Sequence, residues 1–209
     1  MNFDFSDDQS LLRDELRKFL RKESPVAEAR RCIEQRTSLH AGVWQGLAGL
    51  GATALMLPDD CGGIGLGALE LCVLAEEVGR QLSPVPLAST CYLAVQAVLL
   101  GASAAQRQRW LPRVAAGRAA ALAAPLDELQ APPAELPDFD GATLSGQAAL
   151  VADGEAAHWA VVLAQGPAGQ AVWVALALGD EVQRRRLDTL DPSKPYAALC
   201  VPLFVILAQ

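Results

Sequence analysis

LMLPDDCGGIGLGALELCVLAEEVGRQLSP, residues 55–84, is the stretch of sequence that decides the fold class. It places Gly62, Gly63, Gly65 and Gly67 within six positions, just before an amphipathic helical pattern. A dinucleotide-binding loop requires G-x-G-x-x-G between a strand and a helix, whereas the order here is G-G-x-G-x-G between helical patterns. No Lys-Ser or Lys-Thr pair follows, as a P-loop would require. The sequence therefore predicts glycine turns that join two helices, not a phosphate-binding loop.

Residues 1–118 carry the pattern of a helical domain. Ser6 with Gln9, and Ser103 with Gln106, have the spacing of capping boxes at the start of two helices. Apolar residues at helical spacing predict six helices, of which the fourth carries Glu76 and Glu77 on a solvated face. Trp44 and Trp110 are expected in the core, and Pro112 is expected to kink or tighten the sixth helix.

After Gly117 the helical period ends and short β-like runs begin. The runs are ATLSGQAALV, HWAVVLAQ, AVWVALALG and AALCVPLFVIL, and the turn signals ADGE, GPAGQ and DPSKP separate them. A helical block followed by a strand block predicts an α+β protein. We expect an all-α helical domain over residues 1–118, followed by a small antiparallel β-sheet or barrel domain over residues 119–209.

Composition and charge restrict the function classes. The net charge of −7 argues against a nucleic-acid or anionic-membrane partner, because both need concentrated positive charge. No apolar run reaches the roughly 20 residues of a membrane-spanning helix, and the charged start does not resemble a signal peptide. The five cysteines are irregularly spaced and are expected to be reduced thiols in a cytoplasmic protein. No metal site is expected, because His40 and His158 lack neighbours at ligand spacing.

Several segments, taken in order, resemble acyl-CoA dehydrogenases. LPDDCGGIGLGALELCVLAEEVGRQLSPVP resembles the family's L-P-E-x-x-G-G-x-G segment and the E-E-x-G-R helix that follows it. FDFSDDQSLLRDELRKFL resembles the first helix, and QRQRWLPRVAAGRAAALA the passage into the middle domain. ATLSGQAALVADGEAAHWAVVLA resembles a middle-domain hairpin, and RRLDTLDPSKPYAALCV a later strand pair. The resemblance covers essentially all 209 residues.

The resemblance implies a flavoprotein that oxidises the Cα–Cβ bond of an acyl-CoA thioester with FAD. In such enzymes a carboxylate removes the α proton while the β hydride moves to the flavin. The family's T-E-P motif corresponds to Ala123, Ala124 and Pro125 here, so its hydroxyl and carboxylate are replaced. The family's Trp-Ile-Thr or Trp-Ile-Ser motif corresponds to Leu150, Val151 and Ala152 here, so its indole and its hydroxyl are replaced as well. The implied flavin contacts are therefore backbone groups of Ala121, Leu122, Ala123, Leu150, Val151 and Ala152, with ordinary strand packing as the alternative for each.

No catalytic residue is matched within the chain. The sequence ends near the end of the family's middle domain, so the C-terminal helical domain that usually supplies the base is expected to be absent. Cys91 and Tyr92 fall on the helix that lines the acyl pocket in relatives, with core packing as the alternative, and Trp159 is expected in the core. The remaining candidate carboxylates are predicted to lie in a proline-rich loop: Asp127, Glu128, Glu135, Asp138 and Asp140.

Two functional hypotheses follow. The first is a subunit of an FAD-linked acyl-CoA dehydrogenase that binds FAD and an acyl-CoA thioester in a homo- or hetero-oligomer with another subunit of this type. The alternative is a non-catalytic interaction or scaffold subunit, or a shortened remnant, that does not bind FAD. The apolar end CVPLFVILAQ supports this alternative, because a large exposed apolar patch usually marks a partner surface.

Overall fold

The computed structural model describes residues 4–125 and 136–205. By contact the chain divides into two compact units. The first, here called the helical unit, comprises Met1–Leu87 and Arg107–Gly117. The second, here called the strand unit, comprises Ala88–Gln106 and Arg118–Gln209. Residues 88–106 thus group with the strands, and the predicted domain boundary between residues 118 and 119 stays a prediction.

The six predicted helices form, although the fifth differs from the prediction. The α-helices are α1 (Asp7–Glu23), α2 (Val26–Glu34), α3 (Ala41–Gly49), α4 (Ala68–Arg80), α5 (Val95–Gly101) and α6 (Ala104–Ala115). Two short 3₁₀ turns occupy Ala52–Ala54 and Asp59–Cys61. The predicted fifth helix is α-helical only in its second half, because Ala88–Ala94 forms a π-helix. Among the described residues, no helix combines the length and apolar character needed to cross a bilayer.

Both predicted capping boxes are confirmed. The backbone N–H of Gln9 donates to the Ser6 hydroxyl at 3.2 Å, and the side-chain oxygen of Gln9 accepts from the backbone N–H of Ser6 at 3.0 Å. Ser103 and Gln106 repeat the exchange at 3.3 and 2.9 Å. Each box satisfies two backbone donors that a helix start leaves unpaired, and the two boxes fix where α1 and α6 begin.

The glycine-rich stretch forms turns, as predicted. Gly62 and Gly65 have φ values of 77° and 69°, in the left-handed region that favours glycine. Gly63 is required for a different reason, since a Cβ atom there would lie 1.8 Å from the carbonyl oxygen of Leu57. The turns lead into α4, whose first turn is capped by Glu70 accepting from the Gly67 N–H at 2.9 Å.

Glu77 corrects one sequence prediction. It was expected with Glu76 on a solvated face, but its side chain is only 1% exposed, while Glu76 is 47% exposed. Arg17 of α1 donates from Nε and Nη2 to the two carboxylate oxygens at 3.0 and 2.7 Å. These hydrogen bonds lower the pKa of Glu77. The burial is possible because a cation 60 positions away neutralises the carboxylate, which the local helical period could not reveal.

The described residues of the strand unit form one seven-stranded sheet. The strands are β1 (Ala120–Ala123), β2 (Asp138–Phe139), β3 (Thr143–Ala152), β4 (Trp159–Gln165), β5 (Ala171–Ala177), β6 (Gln183–Leu187) and β7 (Tyr196–Val205). Their order is β1-β4-β2-β3-β7-β6, with β5 also paired to β4. The predicted sequence of helices followed by strands is confirmed.

The prediction of an antiparallel sheet is wrong in part, because the sheet is mixed. β1 and β2 both run parallel to β4, while the other pairs are antiparallel. The long connection from β1 to β4 contains β2 and β3, and a long crossover of this kind permits parallel pairing. Short turn signals identify where strands end, but they do not identify which strands pair.

The expected hairpin of β3 and β4 is likewise wrong, because β2 lies between them in the sheet. The expected pair of β6 and β7 is confirmed, with Gln183 opposite Cys200 and Leu187 opposite Tyr196. Asp138 lies in β2 rather than in a loop, because it pairs with Ser145 of β3. Three of the carboxylates predicted in a loop, Asp127, Glu128 and Glu135, lie outside the described residues.

Candidate functional site

The structure brings the two predicted flavin-contacting segments, residues 121–123 and residues 150–152, into one part of the strand unit. The first segment lies in β1 and the second ends β3, and these two strands contact each other. Ala121, Ala123 and Val151 are fully buried in one apolar cluster. The inward side chains of both segments therefore belong to the core of the sheet.

The remaining three positions turn away from that cluster. Leu122 and Ala152 are partly buried, and Leu150 is 61% exposed. The register of β3 against β7 shifts between Ala148 and Val151, as it does at a β-bulge. A bulge inserts an unpaired residue and redirects its side chain, which accounts for the exposure of a large apolar residue at position 150.

Each segment also has a backbone edge that no described strand covers. β1 pairs with β4 and with no other strand among the described residues. Over residues 146–152, β3 pairs with β7, since β2 reaches only Leu144 and Ser145. Backbone N–H and C=O groups are obligatory hydrogen-bonding groups, so both edges are suited to a polar ligand that lies along them.

The π-helix is hydrogen-bonded to the residues that flank both segments. The Thr90 hydroxyl donates to the Ala120 carbonyl oxygen at 3.0 Å and accepts from the Ala120 N–H at 3.0 Å. The Ser89 hydroxyl donates to Asp153 Oδ2 at 2.7 Å. Ala120 immediately precedes segment 121–123, and Asp153 immediately follows segment 150–152.

Asp153 has an unusual environment for a carboxylate. Burial raises its pKa to about 6, against the opposing effects of the Ser89 hydrogen bond and the Lys194 charge. Its backbone is in the left-handed region, with φ of 53°, and its N–H donates to the Pro195 carbonyl oxygen at 2.8 Å. Asp153 is therefore held both by its side chain and by its backbone.

Comparison with known proteins identifies the family of this chain. Residues 6–118 match the family described as acyl-CoA dehydrogenase, N-terminal domain. The chain belongs to the acyl-CoA dehydrogenase family.

Two curated relatives of this family member illustrate the likeness. It is 38% identical over 158 residues to acyl-CoA dehydrogenase FadE28 of Mycobacterium tuberculosis, covering 73% of this chain and 44% of that protein. It is 31% identical over 101 residues to (2S)-methylsuccinyl-CoA dehydrogenase of Cereibacter sphaeroides, covering 42% of this chain and 18% of that protein. The chain thus matches less than half the length of these relatives.

Solved structures support the same fold. A variant of the Tcur3481–Tcur3483 steroid ACAD is 27% identical, with a TM-score of 0.75 over 94% of this chain and 55% of that one. The ChsE4–ChsE5 complex from Mycobacterium tuberculosis, at 21% identity, has a TM-score of 0.81 over 98% of this chain and 57% of that one. An acyl-CoA dehydrogenase complexed with FAD from Bacillus anthracis, at 18% identity, also reaches 0.81, over 97% of this chain and 38% of that one.

In this acyl-CoA dehydrogenase family member, the residues expected in the core are found there. Trp44, Trp110 and Trp159 are at most 5% exposed. Cys91 in the π-helix is 4% exposed, and burial raises its pKa to about 12. A thiol with such a pKa does not form the thiolate needed for nucleophilic chemistry. Tyr92 is partly buried on the same helix.

Asp140, one of the carboxylates named from the sequence, is poorly suited to act as a base. Asp140 accepts hydrogen bonds from the Thr143 hydroxyl and the backbone N–H groups of Thr143 and Ala142, at 2.6 to 2.8 Å. These bonds lower the pKa of Asp140 to about 2, so it is a weak base held in a turn. Within residues 4–125 and 136–205, no three His, Cys, Asp or Glu side chains are grouped as metal ligands would be.

Sequence reasoning missed Ser89, Thr90 and Asp153. A signal existed for the first two, because adjacent hydroxyl residues interrupt an otherwise apolar helical window. Asp153 stands in the ADGE turn signal, which predicted a chain reversal but not a partner for the side chain. Their partners are 30 and 64 positions away, so local patterns could not pair them.

Proposed function

We propose that this chain is part of an FAD-linked acyl-CoA dehydrogenase and that its strand unit supplies one wall of the flavin site. The observation that carries the proposal is the pair of backbone edges at residues 121–123 and 150–152, which lie on strands in contact. Family membership makes FAD the expected ligand, and the ring nitrogens and carbonyl oxygens of its isoalloxazine require hydrogen-bonding partners.

The residues at the two segments fit this group. The outward side chains of Leu122, Leu150 and Ala152 are apolar and suit the faces of an aromatic ring system. None of the six positions has a side-chain hydroxyl or an indole, so hydrogen bonds to the flavin come from the backbone. Backbone groups on paired strands are fixed before the ligand binds, which reduces the cost of orienting it.

In the proposed reaction, this chain and its partner subunit have different roles. Bound FAD supplies the hydride acceptor for oxidation of an acyl-CoA thioester at Cα–Cβ. The residues of this chain orient the ring and exclude water from one side of it. The base that takes the α proton lies outside the two segments, since neither carries a carboxylate, and we propose that a partner subunit supplies it. The likeness to the ChsE4–ChsE5 complex supports an assembly of unlike subunits.

Co-expression tests the proposal. We would produce the chain together with a second acyl-CoA dehydrogenase subunit from the same organism, purify the complex, and record its flavin absorption and its dye-coupled oxidation of acyl-CoA thioesters. The proposal predicts a yellow, active complex. Leu150→Arg should weaken flavin retention by placing a charge against the ring, whereas Leu190→Arg, at a fully exposed leucine of the same unit, should leave it unchanged.

The alternative is a non-catalytic interaction subunit. The absence of any polar side chain from the six predicted flavin-contact positions favours it, because ligand sites usually contain a few convergent polar groups. A stable complex that is colourless would establish this alternative and contradict the flavin proposal. For either function we infer a cytoplasmic location, which the five free cysteines support.

A further inference from the structure

The π-helix Ala88–Ala94 presents two consecutive hydroxyl side chains to the strand unit. Ser89 is 1% exposed and Thr90 is fully buried. π-Helical turns are rare and occur often at functional sites. Buried polar groups in proteins are almost always hydrogen-bonded, and both hydroxyls have their partners beside the proposed flavin wall.

At the start of β1, the Thr90 side chain forms the backbone hydrogen bonds that a neighbouring strand would otherwise provide. Its hydroxyl bonds both the N–H and the C=O of Ala120, each at 3.0 Å. These two groups therefore point toward the helix, while Ala120 pairs with Trp159 in the sheet register. The position of the first residue of β1, and hence of segment 121–123, is set from the helix side as well as from β4.

Ser89 forms a hydrogen bond to the residue that follows the end of β3. It holds the carboxylate of Asp153, whose own N–H is bonded to the Pro195 carbonyl oxygen. Asp153 follows segment 150–152 directly, and the last residue of that segment, Ala152, pairs with Tyr196 of β7. The end of β3 is thus held from the helix and from the loop that precedes β7.

We propose that Ser89 and Thr90 are positioning residues that together set the spacing between the two backbone segments of the flavin wall. Ser89 and Thr90 are adjacent on this helix and bond residues that flank different strands, so one turn reaches two strands at once. The two strands contact each other but are not paired to each other in the sheet, and the helix supplies the hydrogen-bonded link between them. This inference rests on the proposed function.

The variants that test it follow from the chemistry of the two hydroxyls. Thr90→Val keeps the shape of the side chain but leaves the Ala120 N–H and C=O buried without their partner. Thr90→Ser keeps the hydroxyl and should restore the bonds. Ser89→Ala is a milder change, because it removes one bond to a carboxylate that is partly solvent-exposed.

Thr53→Val is the matched control. Thr53 is 3% exposed, and its hydroxyl donates to the Val114 carbonyl oxygen at 2.9 Å within the helical unit. Thr53→Val likewise removes a buried threonine hydroxyl that bonds the backbone, so it also carries a cost in stability. The control therefore separates an effect on flavin binding from a general loss of stability.

The measurement is the dissociation constant of FAD for the co-expressed complex, together with amide hydrogen exchange at residues 119–123 and 151–153. Thr90→Val is expected to weaken FAD binding about tenfold and to speed exchange at residues 119–123. Thr90→Ser and Thr53→Val should retain wild-type affinity. Ser89→Ala should weaken FAD binding and speed exchange at residues 151–153, which keeps the test available if Thr90→Val does not fold.

The outcomes separate the two proposals. If the wild-type complex binds FAD and both Thr90→Val and Ser89→Ala bind it equally well, the positioning role is overturned and the proposed function stands. If Thr53→Val weakens binding as much as Thr90→Val does, the effect is one of stability, and the positioning role is again overturned. A wild-type complex that binds no FAD overturns both.

Discussion

Arg17 on α1 and Glu77 on α4 form a bidentate ion pair, and the glutamate side chain is almost completely buried. The two residues are 60 positions apart, and the pair connects the first helix of the helical unit to the fourth. Arg80 also approaches the same carboxylate, with Nε at 3.3 Å from Oε1. The carboxylate is thus compensated by two cations, which explains how it is buried.

Glu77→Gln should destabilise the helical unit by about 1–3 kcal/mol, because the neutral amide cannot accept both charge-assisted hydrogen bonds from Arg17. Urea unfolding followed by circular dichroism measures the change. Glu76→Gln, at the exposed neighbouring position, is the control and should change stability by less than about 0.5 kcal/mol. Equal effects of the two substitutions would contradict the structural role of the pair.

The contribution of the Arg17–Glu77 pair to the free energy of unfolding should decrease as the pH falls. The folded-state pKa of Glu77 is lowered, first by the Arg17 hydrogen bond. The stabilising contribution is therefore present above the ordinary pKa of a glutamate and is lost as the pH falls through the lower folded value. The difference in unfolding free energy between wild type and Glu77→Gln should shrink on acidification, and a constant difference would contradict it.

Asp153 should show the opposite dependence. Its folded pKa is about 6 against an ordinary value of 3.8, so the folded state binds the proton more tightly. The contribution to stability is complete below the ordinary value and is lost as the pH rises through about 6. Asp153→Asn should therefore raise the unfolding free energy relative to wild type more at pH 8 than at pH 4. The difference between the two pH values should be about 1–2 kcal/mol after allowance for partial exposure of the carboxyl.

Asparagine suits the test of Asp153 because it accepts the Ser89 hydrogen bond and tolerates the left-handed backbone at this position. The measurement is the difference in unfolding free energy between variant and wild type at several pH values, in which other titrating groups cancel. A difference that does not change between pH 4 and pH 8 would refute the assignment of a raised pKa.

Gly63 should be intolerant of any side chain. An added Cβ would lie 1.8 Å from the Leu57 carbonyl oxygen, a backbone atom that cannot move without displacing the turn. We expect Gly63→Ala to cost more than about 3 kcal/mol, as strain at a tight backbone contact does. Gly79→Ala is the contrasting variant. Position 79 is exposed in α4 with nothing within 4 Å of an added Cβ, and alanine should stabilise the helix by up to about 1 kcal/mol.

Thermal unfolding of the two glycine variants, compared with wild type, provides the measurement. A Gly63→Ala protein as stable as wild type would show that the turn relaxes freely, contrary to the geometry found here.

The helices could be predicted from sequence because their signals are local. The Ser6–Gln9 and Ser103–Gln106 capping boxes each lie within one helical turn, and the glycines at 62 and 65 require turns whatever surrounds them. Strand positions were also predictable from short apolar runs. Each of these features is determined by residues a few positions apart.

What sequence could not provide is the pairing of distant residues. The parallel alignment of β1 with β4 and the burial of Glu77 depend on partners more than 30 positions away. The link from Ser89 to Asp153, across 64 positions, has the same character. Long-range contacts of this kind are selected by the whole core and leave no periodic trace in the chain. The resemblance predicted the two segments as flavin contacts, and the structure adds the hydrogen bonds from Ser89 and Thr90 to the residues that flank them.

The central claim is that residues 121–123 and 150–152 form a backbone wall against FAD, and amide hydrogen exchange of the co-expressed complex tests it most directly. Exchange at both segments is compared in the presence and absence of FAD, with residues 183–187 of β6 as an internal reference. We expect slower exchange at both segments when FAD is bound and no change in β6. A complex that binds FAD with unchanged exchange at both segments would contradict it.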